Sequence, residues 1–179
     1  MNAVLVNNSE IIESYKKRKS ISCSLRINFN IGHLWEFISS PGYLEKCHPF
    51  CKTNNVIDWD DKKHMDKIVY VNGIEYIRDF IDWNPKKGYS LIIGKKGGRQ
   101  SYVSWEIKEI TSNRTEIKIT VYPHEIENMG KFKKFLTFNF YVVPKLKFYL
   151  NCVLKGIDYY LKNNEEVPRN HFGKHSWFS

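Results

Sequence analysis

The residues of this chain whose types and spacing could do chemistry fall in four places. Lys46 to Cys51, KCHPFC, brings Cys47, His48 and Cys51 together, and thiolates with imidazole are the ligands zinc selects. A structural zinc site needs a fourth ligand and usually a tighter C-x-x-C knuckle, and no second cysteine pair follows. A thiol nucleophile needs a base beside it in space, oriented by a third group, and adjacency in sequence supplies neither. The stretch therefore reads as half-buried free thiols in a helix and turn, with no metal and no cofactor expected. His171 and His175 stand four apart in the terminal RNHFGKHSWFS. They would share a face only on a helix, and Gly173 between them and Pro168 before them oppose one. Phe172, Trp177 and Phe178 are too apolar for an arm left in water. The tail is expected to fold back as an extended clasp on the sheet edge, a cavity mouth or a neighbouring subunit, which leaves homodimerisation open.

Arg78 is the third candidate. In IEYIRDFIDW, Ile74 to Trp83, strand alternation puts Tyr76, Arg78 and Phe80 on one side and Ile77, Asp79 and Ile81 on the other, so both faces are mixed. An inward Arg78 must be paired, because a lone buried charge is costly, and a ligand carboxylate or phosphate would serve. The weightier readings are an internal pair with a carboxylate such as Glu106, or exposure on the outer face. The fourth place is GKFKKFLTFNFYVVPKLKF, where Lys131, Lys133, Lys134, Lys145 and Lys147 interleave with Phe132, Phe135, Phe138, Phe140 and Phe148. Such interleaving suits peripheral contact of residues 131–148 with an anionic membrane, or single-stranded nucleic acid. The competing reading is an amphipathic connector whose phenylalanines complete the core.

The elements that must position these residues are legible from period. Ser20 to Asn30 alternates Ile21, Cys23, Leu25, Ile27 and Phe29 with polar residues, which is a strand with one wet face. Gly32 to Phe50 then gives two short helices, broken by SSPG and stopped before Pro49. Strands and tight turns follow to Pro123, with Asn72-Gly73 the strongest hairpin signal, making about seven strands, antiparallel by proximity. Leu146, Leu150, Val153, Ile157 and Leu161 recur at helical spacing between Pro144 and Asn163-Asn164, a long amphipathic helix that covers the sheet. Gly156 interrupts its apolar stripe, which implies close backbone packing or room for a ligand.

With 179 residues, 42% of them hydrophobic and 15% aromatic, the chain is long and apolar enough for one domain over residues 1–179, with its core at about 20–163 and a tail at 164–179. Neither a secretory leader nor an apolar run long enough to span a bilayer is visible, so a cytoplasmic protein with free thiols at Cys23, Cys47, Cys51 and Cys152 is expected. The net charge of +9 invites polyanions. The joint richness in Lys, Asn, Ile, Phe and Tyr also reads as compositional drift, and no specific nucleic-acid complex is expected.

The order strand, two short helices, six meandering strands and long terminal helix resembles the START-like or SRPBCC superfamily. IGHLWEFISSPGYLEKCHPF, with Trp35, Leu44 and His48-Pro49, is similar to the way that superfamily leaves its first strand. The texture is most similar to small bacterial members related to polyketide cyclases and dehydrases. The resemblance implies an α+β helix-grip fold, a curved antiparallel sheet wrapped around the C-terminal helix with a cavity between them. It carries over no catalytic residue. Physics favours a cavity too, since a curved sheet and one helix do not easily fill the space between them. The candidate ligand-binding residues are Tyr76, Arg78, Phe80, Val103, Trp105, Ile107, Ile119, Tyr149, Val153 and Tyr160, with Ile117 and Val121 on the same faces; a dry packed core is the alternative for each. The function expected is binding of a small hydrophobic ligand, of lipid, quinone or polyketide type. A cyclase, aromatase or dehydratase using the same cavity is the alternative, with Arg78, Tyr76 or His48 supplying acid-base chemistry.

Overall fold

A computed structural model describes residues 8–124 and 130–179, without the side chain of Lys131. The first seven residues, read above for a leader, lie outside it, as does Lys131's place among the basic side chains. The elements run α1 (Asn8–Lys16), β1 (Ile21–Ile27), α2 (Ile31–Ile38), α3 (Leu44–Cys47), β2 (Cys51–Trp59), β3 (His64–Tyr70), β4 (Glu75–Asn84), β5 (Gly88–Gly94), β6 (Gln100–Thr111), β7 (Arg114–Tyr122), α4 (Lys131–Thr137) and α5 (Val143–Asn163). A π-helical turn at Phe138–Val142 joins α4 to α5. Among the described residues seven strands form one antiparallel sheet in the order β1-β7-β6-β5-β4-β3-β2. Every neighbour but β1 is its neighbour in sequence, as short turns demand. The turn at Asn72-Gly73 closes β3 onto β4, with Gly73 at φ +84°, which its missing Cβ makes inexpensive.

The core lies between the concave sheet face and α5, and α2 and α3 close one end of it. β1 shows how alternation becomes burial: Ile21 and Ile27 are sealed while Ser22, Ser24 and Arg26 face water or the rim. The Asn30 side chain caps α2 by accepting from the His33 N–H at 2.8 Å. Leu146, Leu150, Val153 and Ile157 of α5 are buried at the expected spacing. Asn164 at φ +53° then ends the helix in the left-handed conformation that asparagine tolerates.

Two features depart from the expected elements. The last helix begins well before Pro144, because α4 and the π turn run straight into it. Pro144 follows directly on the π turn, whose widened ring, closed by Val143 N–H on Phe138 O, accommodates a residue that cannot donate. The tail is a chain of turns rather than an extended segment, with Val167 N–H on Lys46 O, Asn170 N–H on Pro49 O, and reverse turns at Asn170 and His175. Gly173 at φ +104° lets it reverse. One element was not expected: α1 lies on the outer sheet face, stacking Tyr15 on Tyr102 with centroids 5.9 Å apart.

Candidate ligand cavity

A cavity of about 110 Å³ lies between the sheet and α5. Val103 and Trp105 of β6, Ile119 and Val121 of β7 and Leu91 of β5 wall it from the sheet; Leu146, Leu150 and Val153 close it from the helix. Of the residues singled out from sequence, Tyr76, Arg78, Val103, Trp105, Ile119, Tyr149 and Val153 line this space. Phe80, Ile107 and Tyr160 do not, and each has a physical reason. Phe80 turns into an aromatic cluster with Trp59, Trp83 and Tyr89, at 5.1 to 5.4 Å between centroids. Ile107 packs beyond Trp105, opposite Ile117, where the sheet is already covered. Tyr160 stacks on Phe37 of α2 at 4.7 Å, because this part of α5 lies over the short helices and not over open sheet.

Gly156 sets that boundary. A Cβ there would lie 1.9 Å from the Cys47 carbonyl oxygen, so only glycine lets α5 rest on the end of α3. Of the two explanations for this glycine, close backbone packing is the one observed.

Arg78 is 3% exposed and paired inside the protein. Its partner is Asp66, directly across on β3, and not Glu106, which faces Lys118 at 3.7 Å. The contact is two-pronged: Nε donates to Oδ1 at 2.7 Å and Nη2 to Oδ2. Burial opposes the guanidinium charge, but Asp66 outweighs it and holds the proton well above the ordinary range. Outward exposure is excluded, and no ligand anion is required to neutralise Arg78. Asp66 was missed in the sequence although Asp66, Ile68 and Tyr70 share one strand face, and an acid on an inward face signals a buried partner.

The polar end of the cavity is built by His48, Tyr149 and Tyr70. His48 is held between α3 and β2, and its Nδ1 accepts the Phe50 N–H at 3.2 Å. The ring proton therefore sits on Nε2, which donates to the Tyr149 hydroxyl at 2.9 Å. Tyr149 in turn meets the Tyr70 hydroxyl at 3.1 Å. Burial, with Arg78 nearby, pushes the His48 pKa down to about 3, so the imidazole is neutral. Burial pushes Tyr70 and Tyr149 well above the usual phenol range. A second phenol pair, Tyr43 and Tyr89, meets at 2.6 Å.

Among the described residues no three His, Cys, Asp or Glu side chains come together as a metal site would require. All four cysteines are free. Burial raises the Cys51 pKa to about 12 and lifts Cys47 as well, so neither thiol is an activated nucleophile.

The tail meets the cavity. Phe178 lines it, stacked on Tyr70 at 4.2 Å and close to Tyr149 at 4.9 Å. His175 anchors this turn: its Nδ1 accepts the Trp177 N–H and its Nε2 meets the Lys145 carbonyl at 3.1 Å. His171 is apart and exposed, against Tyr159. The two histidines thus hold a clasp and do not converge on a ligand.

No profile of a known protein family matches the chain, and no curated protein matches it in sequence. Solved structures do match. A START superfamily protein from Mycobacterium smegmatis superposes with a TM-score of 0.60 at 9% identity, over 81% of this chain and 98% of that one. The Zhui aromatase/cyclase from Streptomyces sp. R1128 gives 0.60 at 10% identity, over 83% and 99%. An uncharacterised Bacillus thuringiensis protein gives 0.63 at 12% identity, over 81% and 100%. The chain therefore has the α+β helix-grip fold of the START-like, SRPBCC proteins. At these identities the likeness extends to the fold and not to an activity.

Proposed function

We propose that the protein binds a small apolar molecule in the cavity between the sheet and α5. The observation that carries this is an aliphatic and aromatic chamber left unfilled in an otherwise close-packed core. Its 110 Å³ compares with the engineered apolar cavity of about 150 Å³ that takes up benzene. As it stands the chamber suits a single ring with small substituents. A fatty acyl chain or a fused polyketide would need Phe178 to leave. Two-dimensional amide NMR with added cyclohexane or toluene is the test: perturbations should centre on Ile119, Tyr149 and Val153. No perturbation up to aqueous saturation would defeat the reading.

A cyclase, aromatase or dehydratase reading draws on His48 and Arg78 both facing the cavity, and on the fold shared with an aromatase/cyclase. Acid-base catalysis at neutral pH needs a group that titrates near neutrality. His48 is pushed far below it, the phenols far above, and Arg78 is tied to Asp66. Binding is therefore the stronger reading.

The proposal includes a place of exchange. Phe132, Phe135, Phe140 and Tyr141 on α4 and the π turn are more than half exposed. Lys19 covers the Phe135 and Phe138 rings at 4.9 and 5.1 Å, and Lys145 covers Tyr141 at 4.7 Å. From Gly130 to Ile157 the sequence holds no carboxylate, although Glu125, Glu127 and Asp158 flank it. Exposed rings ringed by lysines match an anionic bilayer surface. The protein should sediment with phosphatidylserine vesicles and not with phosphatidylcholine vesicles. Equal sedimentation of a Phe132→Ala/Phe140→Ala variant would count against this face.

A further inference from the structure

We infer that the cavity selects an apolar ligand carrying one hydrogen-bond acceptor, of the ketone or quinone carbonyl type, received by the Tyr149–Tyr70 phenol pair. This rests on the cavity being a binding site, and it names the class of ligand that the site takes.

The argument is a count of protons. His48 Nδ1 is occupied by the Phe50 N–H, so Nε2 carries a hydrogen and can only donate towards Tyr149. Tyr149 and Tyr70 bring two O–H groups and share one contact. Whichever way the pair is oriented, one hydroxyl hydrogen finds no acceptor among the described residues. If Tyr70 donates to Tyr149, the spare hydrogen is on Tyr149; if Tyr149 donates, it is on Tyr70. Both residues line the cavity, so the spare donor lies where a ligand would lie. A buried donor without an acceptor is costly, and a ligand oxygen removes that cost where an all-carbon ligand leaves it.

The other polar side chains that line the cavity include Arg78, Ser101 and Tyr76. Arg78 sets its Nε and Nη2 edge on Asp66, with its face 5.1 Å from the Phe80 ring and 5.6 Å from that of Tyr43. The Ser101 hydroxyl accepts the His124 N–H at 3.1 Å. Tyr76 is half-buried, and most of the remaining wall is hydrocarbon and rings. A spare buried donor in a mostly apolar chamber favours the ligand that satisfies it, since unsatisfied polar groups penalise the isostere that lacks the acceptor.

The test uses cyclohexanone and methylenecyclohexane, which have the same shape and differ in one acceptor. Their affinities are measured by NMR titration for the wild-type chain and for Tyr70→Phe/Tyr149→Phe/His48→Leu, which removes both phenol donors together with the imidazole N–H that loss of the Tyr149 hydroxyl would otherwise free for the ketone. Comparing the affinity ratio between the two proteins cancels the different hydration of the probes. The ketone-to-alkene ratio should fall about tenfold in the variant, with the alkene's affinity retained as proof of folding. The carbonyl stretch of 13C-labelled cyclohexanone should lie at its hydrogen-bonded frequency in wild type and move towards its alkane-solvent frequency in the variant. An unchanged ratio and unchanged stretch would overturn the inference and leave the cavity reading standing. Binding of neither probe to either protein would overturn the cavity reading, and this inference with it.

Discussion

Replacing Gly156 with alanine sets two effects of opposite sign against each other. Alanine is the better helix former by about 1 kcal/mol, and Gly156 lies well inside α5, so propensity alone predicts a more stable protein. The new methyl, however, would sit 1.9 Å from the Cys47 carbonyl oxygen and 3.1 Å from its carbon. Ordinary contact begins at 3.4 Å, so the two backbones must separate by roughly 1.5 Å, the difference between those two distances. The obstacle is backbone and cannot rotate away. It is also tied down on both sides, by His48 N–H on Leu44 O and by Val167 N–H on Lys46 O. Overpacking of this kind costs about 1–3 kcal/mol, and a fixed carbonyl places it at the upper end. Net destabilisation of about 2 kcal/mol follows, which lowers the Tm of a chain this long by roughly 4–8 °C. Scanning calorimetry with urea unfolding is the assay, and the midpoint should fall without a change of slope. A Tm equal to or above wild type would refute the argument, because it would mean that α5 does not rest on the end of α3.

Three further outcomes are expected. Asp66→Asn leaves Arg78 buried without its carboxylate and should cost about 3–5 kcal/mol in urea unfolding, while Asp66→Leu with Arg78→Met should recover most of it; a single-variant loss below about 1 kcal/mol would sink the buried-pair assignment. His48 is protonated in the unfolded chain below pH 6.5 but in the fold only near pH 3, so its contribution is complete above pH 6.5 and is lost as pH falls through that window. About 2 kcal/mol should go between pH 7 and pH 5, and His48→Gln should flatten the decline in Tm; an identical slope would contradict the burial of a neutral imidazole. Phe178→Ala removes the ring stacked on Tyr70, which should cost about 3 kcal/mol and let naphthalene bind where wild type takes only single rings; unchanged stability and no gain of naphthalene binding would show that Phe178 does not plug the cavity.

Much of the fold follows from period, because alternation and helical spacing are local and each residue reports its own face. The β3–β4 hairpin, the single-faced β1 and the stripe of α5 were all legible this way. Where local rules pointed elsewhere, a distant neighbour was responsible. Phe80 shares a strand face with Arg78 and yet leaves the cavity for Trp59 and Trp83. Tyr160 continues the stripe of Tyr149 and Val153 but rests on Phe37. α4 was hidden by Pro144, which reads as a start and proves to be an early residue of a helix already under way.

The sequence by itself determined that an antiparallel sheet would be covered by one long helix, that Arg78 needed a partner if it turned inward, and that the aromatic tail would not stay in water. Only the tertiary structure decided that the partner is Asp66, that Gly156 marks where α5 touches α3, and that Phe178 reaches the cavity. The reason is physical. Which face is apolar is written along a segment, but which apolar faces meet, and which hydroxyl is left with a spare proton, depends on groups brought together from Asp66, Tyr149 and Phe178, far apart in the chain.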